Sequence, residues 1–375
     1  MAVSLLLSAG EASGDMYAAR LATEIHKRMD VEIFGMGGPL MRAAGVDVVT
    51  DYSEVSVLGI TEIVSHLPSL VRAMRRLVNE ARRRRPTLAI LTDFPGFHLR
   101  LARKLKPLGV KNVYYVCPQF WAWRPWRVRV VRRRFAQALC IFPFEEEFYG
   151  KAGVPTKFIG HPLVGMVRAS LTRAEFAKKH RLSAATPIIT LLPGSRMGEI
   201  ARHLPTMLAA CTELRKSKRE FAVVIAVAPG IEVAGLTELL AAAPHTVVVQ
   251  DETYNALAAA DVALVCSGTA TIEAALLDVP MAVVYRVTAV TAVLAKPLVR
   301  TKFFSMVNLI AGRQVVTELI QDDFTADAAA AEMQRLLDSD EARAELRRGL
   351  AEVRDKLGPP GAVERAAEAI VELLR

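Results

Sequence analysis

A chain of 375 residues with 52% hydrophobic and 23% charged residues has the composition of a folded protein and more length than one core usually holds, so two domains are expected. The net charge of +9 favours an anionic partner: nucleic acid, a phospholipid surface or a phosphorylated substrate. No apolar run reaches the ~18 residues of a bilayer span. No charged n-region or cleavage site marks a secretory signal, and Cys117, Cys140, Cys211 and Cys266 form no C-x-x-C pair, so they read as reduced core thiols of a cytosolic protein.

In chain order, Val3 to Ser8 is an apolar strand that runs into AGEASGD and a helix reaching about Met29. Gly10, Glu11, Ser13, Gly14 and Asp15 form a small-residue turn between strand and helix, which is an anion-binding geometry, with Ser13 or Asp15 expected as the helix cap. The turn lacks G-x-G-x-x-G, so no dinucleotide fingerprint is present. Val31 to Phe34 is the next strand. Residues 57–66 are apolar and flow into a helix with Leu67, Leu70, Val71, Met74, Leu77, Val78 and Ala81 on one face and Arg72, Arg75, Arg76 and Arg82 to Arg85 as its basic part. Leu88 to Leu91 is a strand, and Asp93 follows it in TDFPGFHLR, a favoured position for chemistry in parallel sheets. Val113 to Val116 precedes CPQFWAWRPWRVRVVRRR, where Trp121, Trp123 and Trp126 stand among arginines, a membrane-interface composition. Ala138 to Phe142, then Phe158 and Ile159, close the first half.

Residues 161–187 read as a linker. Ile188 to Leu192, Ala222 to Val227, Thr246 to Val249, Val262 to Cys266 and Met281 to Tyr285 are strands alternating with helical patterns, so each half is expected to be a parallel, helix-covered sheet. Two strand-to-helix turns in this half suit a nucleotide. In LLPGSR, Gly194 and Ser195 let backbone N–H groups approach a diphosphate, and Arg196 supplies a fork-shaped cation. In SGTATIEA, Ser267 and Gly268 turn the chain, Thr269 is placed to cap the helix, and Glu273, one turn in, can accept from two ribose hydroxyls. The segment containing Asn308 and Gln314 reads as a strand-poor loop with a short helix. Residues 325–375 are helical, broken at Gly358, Pro359 and Pro360. The D-x-D at Asp338 and Asp340 reads as a helix cap, and the histidines lack metal-ligand spacing, so neither a metal nor another cofactor is expected.

GEASGD at 10–15, FGMGGPLM at 34–41, CPQFWAWR at 117–124, FPFEEEFY at 142–149, GHPLV at 160–164, LLPGSR at 191–196 and SGTATIEA at 267–274 occur in one order. Together they resemble the lipid-A-disaccharide synthases over nearly the whole chain. The resemblance implies a GT-B architecture, two Rossmann-like parallel-sheet domains facing a cleft, with 1–165 as the acceptor and membrane-facing domain and 166–335 as the UDP-sugar domain. Helices 336–375 would then pack back on the N-terminal domain or on a partner chain. It implies transfer from UDP-2,3-diacylglucosamine to 2,3-diacylglucosamine 1-phosphate, forming a β-1,6 bond and releasing UDP, at the cytoplasmic face of the inner membrane. It places Asn308 and Gln314 near the donor, and the GEASGD loop on the acceptor side. Asp93 is the expected general base. Many members read D-x-P-D-F-N where this chain has Gly96 and His98; His98 reads as a surface residue opening a basic helix, with a role as the base in place of Asp93 as the alternative. The protein is expected to be a monomer or homodimer working on an anionic phospholipid surface, with no nucleic acid, for which no binding motif is present. Another GT-B enzyme on UDP-N-acetylglucosamine, such as the peptidoglycan glycosyltransferase or the 2-epimerase, is the competing reading, and GEASGD argues against it.

Overall fold

The structure is a computed structural model that describes residues 3–55, 63–122, 124–183, 185–217, 220–241, 246–288, 291–292 and 301–375. Trp123 and most of the apolar 57–66 stretch lie outside the described residues. The chain divides into two compact units, Met1–Val164 with Leu357–Arg375, and Gly165–Lys356. The stretch 336–375, expected as one segment, is therefore shared between them.

The first unit is built on a seven-stranded sheet ordered β3-β2-β1-β4-β5-β6-β7. The strands are β1 (Val3–Ala9), β2 (Val31–Gly37), β3 (Asp47–Asp51), β4 (Leu88–Thr92), β5 (Lys111–Tyr115), β6 (Gln137–Cys140) and β7 (Thr156–Phe158). All neighbours pair in parallel. Continuous apolar runs such as Leu5-Leu6-Leu7 and Leu88 to Leu91 are fully buried because helices cover both faces. On one face Leu6, Phe34, Leu91 and Tyr114 pack with Leu77, Leu101 and Phe120. Strand β3 was not legible in the sequence, since DVVTD is an edge strand with charged ends. Strand β5 starts two residues earlier than its apolar run and stops before Val116, which leaves the sheet with φ +57.

Helix α1 (Ala12–His26) follows β1, α2 (Pro39–Ala43) follows β2, and α3 (Ile63–Arg84) leads to β4. Helix α4 (Pro95–Leu105) follows β4, α5 (Val128–Arg134) precedes β6, and α6 (Pro143–Lys151) follows it. The last helix, Ala362–Leu374, packs against α1. It is tied down where Arg365 donates from Nε to the Ile159 carbonyl at 2.8 Å and the His161 N–H reaches the Leu357 carbonyl at 2.8 Å.

The second unit has a six-stranded parallel sheet ordered β10-β9-β8-β11-β12-β13. These are β8 (Ile188–Leu192), β9 (Ala222–Val227), β10 (Thr246–Gln250), β11 (Val262–Cys266), β12 (Met281–Tyr285) and β13 (Thr317–Ile320). The segment with Asn308 and Gln314 holds the expected short helix, Met306–Ala311, and β13 follows it as a strand not read in the sequence: TELI joins the edge beside β12, where pairing on one side suffices. The expected linker also contains a helix, α7 (Arg173–Lys179), whose start is closed by Thr172 and Glu175 in a capping box. Asp338-Ser339-Asp340 caps the helix Asp340–Lys356 through Ser339 Oγ, which accepts the Ala342 N–H at 3.0 Å.

Candidate active site

In a parallel sheet the ends of β1, β4 and β5 share one edge, and there the first unit concentrates its strain and its buried carboxyls. Asp93 (φ +47) and Phe94 (φ +45) are consecutive left-handed residues, and Val116 across the edge is a third. Such conformations cost of order 1–3 kcal/mol each and persist where the surroundings over-determine them. Here the surroundings can be named. The Asp93 carbonyl accepts from Tyr114 Oη at 2.9 Å and from His98 Nδ1 at 2.8 Å, and the Asp93 N–H donates to the Tyr115 carbonyl at 3.1 Å. With Nδ1 donating, His98 Nε2 is the acceptor for Ser8 Oγ at 2.8 Å.

His98 is thus no surface residue. It is completely buried, both ring nitrogens are used, and burial lowers its pKa to about 4, so it stays neutral. It occupies the helical turn after Asp93, and from there it locks the backbone that presents the Asp93 side chain.

The Asp93 carboxyl is raised to about 7, first by burial and then by the charge of Glu11 and a hydrogen bond with it. Glu11 reaches Asp93 because Ala9 at the end of β1 pairs with Thr92 at the end of β4. Gly10 makes the approach possible: a Cβ there would stand 2.2 Å from the Phe94 ring. Ser13 Oγ donates to Glu11 Oε1 at 3.2 Å. The expected capping of α1 by Ser13 or Asp15 is corrected. Glu11 occupies the cap position without a side-chain cap bond. Asp15, one turn inside α1 and buried, instead accepts the N–H groups of Gly38 (2.7 Å), Leu40 (3.1 Å) and Met41 (3.3 Å), capping α2. The N-terminal motif therefore divides its work: Gly10 and Glu11 serve the Asp93 edge, and Asp15 fixes the neighbouring loop.

A further buried carboxyl was not singled out in the sequence. Glu145 in FPFEEEFY accepts from Trp121 Nε1 at 3.1 Å and from the N–H groups of Ile141 and Phe142, both at 3.3 Å. Burial outweighs these bonds and raises it to about 8. It fixes Trp121, whose ring meets Phe144 edge-on, so this tryptophan is held by the fold, while Trp126 is exposed.

In the second unit, LLPGSR ends β8 and meets helix α8 (Met197–Arg215), as expected from its sequence. Gly194 takes φ +133, and Arg196 sits at the cap position with its side chain exposed. Glu199 was not foreseen here. Its Oε2 accepts the Ser195 N–H at 3.0 Å and its Oε1 lies 3.3 Å from Arg196 Nη1, so a carboxylate of the chain itself uses the donors that suit a phosphate. His203, one turn further along α8, donates from Nδ1 to the Pro193 carbonyl at 2.8 Å and accepts the Arg286 N–H at 2.9 Å, tying the ends of β8 and β12 together.

SGTATIEA follows β11 as expected, but Thr269 is already helical and makes no side-chain cap bond with helix α11 (Ala270–Leu276). Gly268 takes φ +152 in open space, and Ser267 Oγ donates to the Phe304 carbonyl at 2.9 Å. Glu273 is half-buried, accepts from Tyr254 Oη at 3.1 Å, and is raised by burial. Asn308 differs from the donor role implied for it. It is fully buried, its Oδ1 takes the N–H groups of Val315 and Val316, and its Nδ2 serves the Val316 carbonyl and Glu318, so its amide is committed to the fold. Gln314 is exposed. Among the described residues, no group of three or more His, Cys, Asp or Glu side chains is placed to hold a metal ion.

Two parallel α/β units with strand-to-helix turns at the ends of β8 and β11 define the class by architecture, the GT-B fold. The fold matches the UDP-GlcNAc 2-epimerase from Neisseria meningitidis bound to UDP-GlcNAc with a TM-score of 0.65 at 12% identity, covering 99% of this chain and 100% of that one. It matches the calicheamicin glycosyltransferase CalG4 with a TM-score of 0.60 at 16% identity, over 100% and 98% of the two chains. Likeness at such identity shows the fold alone. The family model for lipid-A-disaccharide synthetase matches residues 5–370. The lipid-A-disaccharide synthase of Solibacter usitatus is 49% identical over 99% of this chain and 97% of its own length. The chain belongs to the lipid-A-disaccharide synthetase family.

Proposed function

We propose that this chain joins UDP-2,3-diacylglucosamine to 2,3-diacylglucosamine 1-phosphate through a β-1,6 bond in a single inverting displacement, with Asp93 as general base. The observation that carries the assignment of the base is the Asp93 carboxyl, fixed at a sheet edge and raised to about 7. An ordinary aspartate, near 3.9, is a weak base for a sugar hydroxyl. One tuned to the working pH is better matched to the proton it takes. In the displacement the acceptor 6-oxygen attacks the anomeric carbon, its proton passes to Asp93, and the bond to the UDP oxygen breaks with its electron pair going to the β-phosphate. The developing phosphate charge falls to Arg196 and the N–H groups of the Gly194-Ser195 turn, once phosphate replaces Glu199 there. Glu273 takes the ribose, and Ser267, Gly268 and Thr269 line the second turn. Gln314 is kept as a donor-side contact, and Asn308 acts by holding the loop before β13. Release of UDP only when both acylated sugars are present tests the reading; release with UDP-N-acetylglucosamine alone would favour the competing enzymes.

Glu11 is proposed as the partner that shares a proton with Asp93. The groups facing this pair are neutral His98 and Tyr114, with Glu145 further off. The base works deprotonated, so kcat/KM should rise with pH through about 7 and level above it. Glu11→Gln removes a like charge, and the acidic limb should move to lower pH. A limb that stays in place would separate Glu11 from the base.

The enzyme is proposed to work peripherally at the inner face of the inner membrane. No helix among the described residues is long and apolar enough to cross a membrane. Helix α3 supports surface binding: Leu67 and Val71 are exposed one turn apart, beside Arg72 and Arg75. Arg76 is partly engaged by Glu54, so Arg72, Arg75 and Arg82 make the better test. Replacing these three with glutamine should weaken retention on anionic vesicles, and retention by the parent should fall with salt, each residue contributing ~1 kcal/mol. Salt-independent retention would assign the binding to apolar insertion.

A further inference from the structure

At the opposite edge of the first sheet, where β5 and β6 begin, Lys106, Lys111, Arg132, Arg133 and Arg134 surround a cavity of about 290 Å³ with Asn112 in its wall. Helices α4 and α5 both end here, and cations suit the negative ends of helices. That accounts for two of the five. Lys106 Nζ donates to the Arg133 carbonyl at 2.7 Å, and Arg134 Nη1 to the Leu99 carbonyl at 2.7 Å. Lys111, Arg132 and Arg133 have neither a carboxylate within ion-pairing distance nor a side-chain hydrogen bond among the described residues. The crowding is felt: the Arg134 guanidinium is held below its usual pKa by burial and by its neighbours Arg103 and Arg133. Asn112 is buried, and its Nδ2 binds the carbonyls of Ala102 (3.3 Å) and Arg134 (3.0 Å), bridging the two helix ends. Its Oδ1 has no partner among the described residues.

We propose that this cavity is an anion site for a phosphate group, separate from the transferase chemistry. Parallel pairing puts the starts of β5 and β6 at the edge away from Asp93, so the site is not part of the candidate active site. Guanidinium forks match phosphate oxygens in pairs, and three uncompensated cations exceed what one carboxylate neutralises. The volume lies at the lower limit of small-molecule pockets, which suits one phosphate with a few attached atoms better than a polymer. The phosphate comes either from solution or from a phosphodiester lipid headgroup.

Calorimetric titration of the full chain with inorganic phosphate, at ionic strength held constant with chloride, tests the site. Saturable binding is expected in the parent, is expected to survive Arg196→Ala, and should weaken at least tenfold when Lys111, Arg132 and Arg133 are all changed to glutamine. These three side chains make no side-chain hydrogen bond or ion pair among the described residues, so the melting temperature of the triple variant should match the parent; the single variant Arg133→Gln, expected to be weakened to a lesser degree, provides a second reading. Vesicles separate the sources. Retention on phosphatidylglycerol over phosphatidylcholine that the triple variant loses and inorganic phosphate displaces identifies the headgroup; retention equal in parent and variant identifies soluble phosphate. No saturable phosphate binding, or equal binding by parent and triple variant, would overturn the proposal.

Discussion

Asp93→Asn should lower the turnover rate by about 10²–10⁴, the usual contribution of a general base, and leave UDP affinity near the parental value. Asparagine is the informative replacement because it keeps the shape and tolerates φ +47, whereas alanine would add strain at a left-handed position. The bonds that hold the turn, from Tyr114 Oη and His98 Nδ1, go to the backbone carbonyl and survive the change. The residues proposed for the donor belong to the other unit, so a fall in rate with unchanged UDP binding assigns the loss to chemistry. Near-parental rates in single-turnover measurements would remove Asp93 from the role. His98 would not replace it, since both its nitrogens are committed and it is buried; Glu11 would be the next residue to examine.

Arg196→Ala should reduce kcat/KM for the donor by roughly ten- to a hundredfold, as expected for losing a charge-assisted contact of ~1.5–3 kcal/mol. The fold should persist, because the Arg196 side chain is exposed and its cap position is held through the backbone. Glu199 gives the control. Its carboxylate occupies the Ser195 N–H and pairs with Arg196, so Glu199→Gln removes an internal competitor for phosphate and should leave UDP affinity at the parental level or above. Unchanged efficiency of Arg196→Ala at sub-saturating donor would take Arg196 out of the phosphate site.

The comparison of the two variants shows where local pattern carries information. Asp93 and Arg196 both stand just past an apolar strand and just before a helix, a position readable from order alone. Their partners are different. Glu11 lies 82 positions from Asp93 and meets it only because β1 and β4 are neighbours in register. Glu145 reads locally as one more acidic residue at a helix start, and only its burial distinguishes it from Glu146 and Glu147. Glu199 lies close enough to LLPGSR to have been considered, but nothing in its spacing says that it folds back on the turn and does not face solvent. The strands missed, β3 and β13, are sheet edges, where half-paired backbone tolerates charged and short segments that carry no apolar signature.

The sequence by itself determined the parallel α/β class, the two-unit plan, the strand-to-helix turns after β8 and β11 and the family, because these depend on short-range order: apolar runs, small residues at turns and motifs in a fixed succession. Tertiary structure decided which side chains face one another. It buried His98 and turned it into a lock for the Asp93 backbone, gave Asp15 to α2 and not to its own helix, committed Asn308 to the loop before β13, and returned the last helix to the first unit. It also set the acidity of the proposed base, since desolvation and the charge of Glu11 act through space and have no counterpart in the order of residues.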